Sequence, residues 1–381
     1  MQQLTFIRKG VLEWREAPEP ALQSSKEAIV RPFVAARCDG DNLPLFNRAT
    51  QLLQLGVAIH YLDPLVREVL GDPPLKGPYA FGHECVAEVV ECGADVRTVA
   101  RGDIVIVPWS ISCGHCFHCA HGWTSKCATS DTPIAAYGFG AAMGSWGGAV
   151  SDRLRVPYAD AMLLKVPETL DPLIVASASD NLPDAWRTVG PHLERLPGVP
   201  VLVVGGPARS IGLYAAGIAV AMGASRVDYL DSDTERLRIA DTLGANAIEI
   251  PAGERSLKKH APRGRGSYLI SVDASASLAG LNHALRSLAP GGVCTGVGYY
   301  FARKGGLPLM QMYINDWTLH VGVSHPRADL PKLLALLETR RFKPEVVTTL
   351  LAEWDDAPRA FLEQTTKVVV TRDALRIGER S

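Results

Sequence analysis

The chain has 381 residues, 47% of them hydrophobic and 21% charged. That profile fits a folded globular protein long enough for two domains and excludes a disordered or fibrous one. Its 39 Lys and Arg against 40 Asp and Glu leave a net charge of -1, so no overall field recruits nucleic acid or an anionic membrane. Residues 1–9 lack the apolar core of a secretory signal, and the uncharged runs 104–125 and 132–151 are broken by Gly, Pro, His and Cys. A cytoplasmic protein is expected, with a small molecule as its partner.

The first 165 or so residues read as short β segments cut by Gly and Pro. Between Asn42 and Pro78 an apolar periodicity interrupts them. Leu45, Ala49, Leu52, Leu53 and Ile59 roughly keep helical spacing, and Leu65, Val66, Val69 and Leu70 resume it after Asp63-Pro64. Two short helices are expected over 42–78, either as a packed surface hairpin or as a lid or pocket wall. Residues 86–91 and 103–107 read as strands, with the turn residues Cys92-Gly93 and Arg101-Gly102 between them.

Half of the 8 cysteines follow closely: Cys113, Cys116, Cys119 and Cys127. Four thiolates at loop spacing suit a tetrahedral structural zinc, which would contribute folding energy to a lobe (about 105–130) with little core of its own. An iron–sulfur cluster of the bacterial type would continue the C-x2-C-x2-C run with x3-C-P, which is absent here. A nucleic-acid finger would want surrounding positive charge. His115, His118 and His121 read as bystanders. Cys85, Cys92 and Cys294 read as small buried residues.

From about Asp171 helix-period and β-branched segments alternate, as in βαβ units on a parallel sheet. Strand 201–204 leads through Gly205-Gly206-Pro207-Ala208-Arg209-Ser210-Ile211-Gly212 into a helix, an order suited to a pyrophosphate at the helix start. Gly205 and Gly206 permit the turn, and Gly212 permits close helix–strand packing. The turn is longer than G-x-G-x-x-G. A second strand, 227–230, ends at Asp231, whose carboxylate would accept ribose hydroxyls and repel a 2′-phosphate, favouring NAD over NADP. Arg236 would face the adenosine side. Further strands are expected at 247–250 and 269–272, a helix at 330–340, and a final strand at 367–370.

Cys38, then Gly82-His83-Glu84, the four-cysteine lobe and the nucleotide half occur in an order that resembles the zinc-dependent medium-chain alcohol dehydrogenases. Residues 107–114 and 145–149 are similar to segments of the formaldehyde and threonine dehydrogenase-like branch. The resemblance implies a β-rich GroES-like catalytic domain (1–170), a doubly wound Rossmann domain (171–323) and a return to the catalytic domain (324–381). It implies two zinc ions per chain, with Cys38, His83 and Asp180 on the catalytic one, and Glu84 as the neighbouring acid that sits behind the metal or replaces a water ligand. It also places Gly205, Gly206, Ile211, Gly212, Asp231 and Lys367 at the coenzyme, the last near its pyrophosphate. The implied activity is hydride transfer between a nicotinamide and an alcohol or aldehyde in a homodimer or homotetramer. A redox-neutral or reductive enzyme that retains its nicotinamide, or a non-catalytic relative, are the alternatives. One departure stands out: Gly40 occupies the position where the family usually has the hydroxyl of a proton relay, and Leu43 a position where some relatives place a relay histidine. The proton would leave by water or through a group such as Asp39, Asp41 or one on 42–78. Tyr137 and Trp146 would line the pocket or belong to the core.

Overall fold

The computed structural model describes residues 1–253, 256, 257, 259 and 266–375. The chain forms two compact units. The first comprises Met1–Pro183, His325–Leu334 and the stretch from Thr348 onward; the second comprises Asp184–Ser324 and Ala335–Val347. Residues 171–183 pack with the first unit because Ser179 is clamped there, its hydroxyl accepting from the Cys85 amide and donating to the Cys85 carbonyl, both at 3.0 Å.

In the first unit, a sheet runs in the order Leu350–Glu353, Val368–Thr371, Ala28–Ala36, Glu84–Cys92, Ile104–Val107 and Leu164–Lys165, with Leu154–Val156 pairing beside Ala28–Ala36. Ala28–Ala36 reads AIVRPFVAA, a nearly continuous apolar run, and it is buried almost throughout, as a central strand should be. Its Pro32 lacks an amide to donate and sits beside a register shift, where a bulge tolerates it. The strand pairs antiparallel with Glu84–Cys92, matching Ala36 to Glu84. A residue just after the first strand therefore lies beside one just before the second. Tyr137 belongs to the hydrophobic core of this unit and Trp146 packs against it partly buried, in line with the core reading.

The 42–78 segment forms three short helices rather than two: Asn42–Phe46, Ala49–Ala58 and Leu65–Leu70. Leu45, Ala49, Leu53, Val66 and Leu70 are buried, but Leu52, Ile59 and Leu65 face outward. The helices are too short to bury more than one side, and the apolar excess is left on the other.

In the second unit, the described residues form a six-stranded parallel sheet: Asn246–Glu249, Val227–Asp231, Val201–Val204, Tyr268–Asp273, Leu288–Gly296 and Thr318–Val321. In chain order this is 3-2-1-4-5-6, the doubly wound dinucleotide-binding arrangement. The expected strands and helices fall within a few residues of those observed. No helix among the described residues is long and apolar enough to cross a membrane.

Gly138 controls where the Gly82-His83 segment runs. Its φ is +79°, and an added Cβ would lie 2.5 Å from the Gly82 carbonyl oxygen. Left-handed backbone and backbone overlap compound here. Gly138→Ala is expected to cost roughly 2–4 kcal/mol, read as a lower urea midpoint at unchanged slope.

Candidate active site and metal centres

The strand register delivers Cys38 and His83 to one place, and the Ser179 clamp delivers Asp180. The Cys38 Sγ lies 3.1 Å from Asp180 Oδ2, and His83 Nε2 lies 3.4 Å from the same oxygen. One donor atom from each of the three residues lies within 4.8 Å of the others. A tetrahedral zinc with bonds of about 2.0–2.3 Å sets its donors roughly 3.3–3.8 Å apart, so the set fits that ion. Cys38 and His83 are buried, whereas 15% of the Asp180 side chain is exposed, which leaves the accessible side at the carboxylate. Phe139 stacks on the His83 ring at 4.8 Å and Trp109 meets it edge-on at 6.4 Å, covering one side with apolar surface.

Asp41 stands behind this group. Its Oδ2 accepts from the Cys38 amide at 3.1 Å, and its Oδ1 lies 3.9 Å from His83 Nδ1. Burial disfavours an imidazolium here, but Asp41, then Asp180 and Glu84, outweigh it and hold His83 up at about 9. Burial pushes the Cys38 thiol well up, reinforced by the charges of Asp180, Asp41 and Glu84.

Glu84 and Lys367 form a fully buried ion pair, with Nζ donating to Oε2 at 2.6 Å. Burial nevertheless pushes the Glu84 carboxyl up to about 7, against the lowering effect of Lys367. The same ammonium donates to the Arg37 carbonyl at 2.9 Å and to Asn181 Oδ1 at 2.8 Å. This corrects the expectation that Lys367 lies at a coenzyme pyrophosphate: with three partners and no exposure, its charge is spent behind the metal ligands. Asn181 was missed in the sequence, where adjacency to Asp180 is its only signal. Its Nδ2 donates to Cys38 Sγ at 3.1 Å and to Asp180 Oδ2 at 3.3 Å.

Cys113, Cys116, Cys119 and Cys127 gather their sulfurs within 4.8 Å of one another, the second such group among the described residues. Backbone amides point at the sulfurs: Cys113 to Cys127 at 3.3 Å, Cys116 to Cys113 at 3.4 Å, and Ala128 to Cys116 at 3.4 Å. Burial would raise the Cys116 thiol, but the amides of Ala128 and Cys119 bring it down to about 6, whereas burial holds the Cys113 and Cys119 thiols up. His115 and His121 turn their Nδ1 atoms to backbone carbonyls and take no place in this group.

In the second unit, Val201–Val204 passes through Gly205 and Gly206 to the helix Arg209–Ala221. Ala208 at its start has no side chain able to cap it, and Ile211 and Gly212 are buried in its first turn. Gly205 is needed for close approach: a Cβ there would lie 2.4 Å from Asp231 Oδ2. Asp231 does not present the open carboxylate expected of a ribose acceptor. Arg236 grips both of its oxygens at 2.7 Å, the Tyr229 hydroxyl donates to Oδ2 at 2.9 Å, and the amides of Ser232 and Asp233 take Oδ1. Arg236 is correspondingly committed to that acid.

Comparisons with known proteins agree with this architecture. Residues 55–168 match the Alcohol dehydrogenase GroES-like domain family and residues 210–339 the Zinc-binding dehydrogenase family. The chain is 30% identical over 364 residues to a "Probable zinc-binding alcohol dehydrogenase" of Mycobacterium tuberculosis, covering 95% of this chain and 84% of the relative. It is 36% identical over 181 residues to a glutathione-independent formaldehyde dehydrogenase of Bacillus subtilis, covering 46% and 43% of the two chains. The alcohol dehydrogenase structure from Thermus sp. ATN1 superposes with a TM-score of 0.76 at 27% identity, covering 97% of this chain and 99% of that one. The chain belongs to the zinc-dependent medium-chain alcohol dehydrogenase family. With a Cys/His/Asp metal site and a dinucleotide-binding sheet, it is an oxidoreductase of zinc-dependent, NAD(P)-linked hydride transfer.

The two metal groups separate experimentally. Cys119→Ser is expected to remove one zinc of two per chain and to lower the thermal transition, because that ion organises the lobe around it. Metal content and calorimetry on one preparation check both.

Proposed function

We propose that Cys38, His83 and Asp180 hold the catalytic zinc, and that the enzyme interconverts a small alcohol and its aldehyde with a nicotinamide coenzyme. The observation that carries this reading is the convergence of one thiol, one imidazole and one carboxylate with Oδ2 of Asp180 at its centre. When bound, the zinc would acidify an alcohol or polarise a carbonyl, and the nicotinamide would accept or supply hydride. The protein's own residues set the conditions. Cys38 and Asp180 supply two negative charges to balance a divalent ion, and neutral His83 supplies none. Asp41 stands 3.9 Å behind His83 Nδ1 and acts on it through charge rather than a hydrogen bond, and the Glu84–Lys367 pair closes the back of the site. Gly40 and Leu43 carry no group able to pass a proton, and Asp41 is held by the Cys38 amide, so the proton leaves by water or through Asp39 or a group on 42–78.

Gly205, Gly206, Ile211 and Gly212 form the coenzyme turn in this reading. Asp231 and Arg236 act there as a pair rather than as separate contacts. A 2′-phosphate would meet two acids, Asp231 and Asp233, against one arginine already engaged by both, which supports NAD as the coenzyme. The likeness of nearly half the chain to a formaldehyde dehydrogenase supports the formaldehyde and threonine dehydrogenase-like branch and a small substrate. Association into a homodimer or homotetramer is supported by the sheet-edge strand Thr318–Val321 and the exposed Leu309, Met310, Tyr313 and Ile314 beside it in sequence.

Cys38→Ser and Asp180→Ala are each expected to reduce turnover by at least about a hundredfold while the cysteine-lobe zinc and the fold persist; parental turnover in either would overturn the ligand assignment. Asp231→Ser releases Arg236 and is expected to raise NADP acceptance relative to NAD. Binding of NADH and NADPH by fluorescence measures that ratio, and an unchanged ratio would count against the pair as the selector.

A further inference from the structure

Asn181 is fully buried, and its side chain meets four partners at once. Nδ2 donates to the Cys38 sulfur at 3.1 Å and to Asp180 Oδ2 at 3.3 Å. Oδ1 accepts from Lys367 Nζ at 2.8 Å and from the Asp39 amide at 3.2 Å. Its backbone amide donates to Glu84 Oε1 at 2.8 Å. The chemistry of the partners fixes which way the amide points. Reversed, it would set a carbonyl oxygen against a thiolate and a carboxylate, and an NH₂ against an ammonium.

We propose that Asn181 is a positioning residue for the catalytic metal, joining two of its ligands to the buried Lys367–Glu84 pair and weakening the donor strength of the Cys38 thiolate. The proposal rests on the assignment of Cys38, His83 and Asp180 as the ligand set. The physical argument has two parts. A single rigid amide touching both anionic donors fixes the sulfur-to-oxygen separation, which sets the size of the ion cage. An N–H donated to a thiolate also draws charge off the sulfur. The Lys367 ammonium on the far side of the amide polarises it in the same sense, because linked hydrogen bonds reinforce one another in a low-dielectric interior. The Gly40 amide adds a second donor to the same sulfur at 3.3 Å. An ion held by such a thiolate keeps more of its positive charge for whatever enters the open position.

Asn181→Leu keeps the branched four-atom side-chain skeleton, at larger volume, and removes both polar atoms of the side chain. Asn181→Ala is the second variant, in which the space can admit water. Both are prepared as full-length zinc protein, and chelator-driven zinc loss is followed alongside the spectrum after cobalt exchange. The expected result is that one zinc of two leaves 10–100 times faster than in the parent, while the cysteine-lobe zinc leaves at the parental rate. The thiolate-to-cobalt charge-transfer band should move to longer wavelength as the sulfur regains charge. If either variant retains both zinc ions at parental rates with an unmoved band, Asn181 is a packing residue and the proposal falls alone. If the parent holds only the cysteine-lobe zinc, the ligand assignment falls and takes this proposal with it.

Discussion

The active site depends on one strand register. Ala36 pairs with Glu84 across two antiparallel strands, so Cys38, two residues beyond one strand, meets His83, one residue before the other. A slip of one strand by one residue would turn its side chains to the opposite face and part Cys38 from His83. The register is held by burial, since Ala28–Ala36 and most of Glu84–Cys92 are enclosed on both faces. The third ligand arrives by a separate device: the Ser179 hydroxyl makes a two-way bond with the Cys85 backbone, adding a strand-like link where no strand exists. The geometry of a catalytic metal group is thus written in backbone hydrogen bonds before any metal is considered.

Behind the group lies a layer of buried charge that is costly unless each member is satisfied. Lys367 makes three hydrogen bonds, Glu84 receives both the ammonium and the Asn181 amide, and Arg37 donates to the carbonyls of Phe361, Glu363 and Thr365. The Arg37 contacts tie the strand that leads into Cys38 to the segment that leads into Lys367. The C-terminal segment therefore completes the first unit by supplying both a strand and the cation that neutralises its deepest acid. Chain continuity is sacrificed for this, because the nucleotide-binding unit is inserted between the two halves.

Much of this was legible in the sequence, and the reasons differ by feature. The cysteine lobe was legible because its ligands are local: four thiols at short spacing admit few other uses. The parallel sheet was legible because buried strands are apolar runs that alternate with helical periods. Cys38, His83 and Asp180 became legible only through the order of motifs shared with a family, since the residues are 45 and 97 positions apart and no local pattern joins them. Asn181 was invisible because its role is defined by what faces it. Lys367 and Asp231 were read as open charges, and both are paired in the structure, for a common reason. Sequence shows which charges exist but not which are already paired. The 42–78 helices failed in another way, because three short helices expose an apolar side that periodicity alone assigns to the interior.

The electrostatics of the first unit explain why a divalent ion suits this place. Cys38, Asp180, Asp41 and Glu84 are acidic groups gathered close to His83, Lys367 and the guanidinium of Arg37. Burial and mutual repulsion drive the thiol and the Glu84 carboxyl toward their protonated forms, and the Asp41 carboxyl is also raised, chiefly by burial. The same field draws a proton onto His83, whose pKa stands at about 9 despite its burial. Every shift has one sense: the site favours added positive charge. Protons satisfy that demand one at a time on separate atoms. A single doubly charged ion at the shared centre of Sγ, Nε2 and Oδ2 would satisfy it at once, displacing the protons from the thiol and the imidazole. Selection for a metal is therefore a property of the whole buried charge set, with the three ligands as its point of contact.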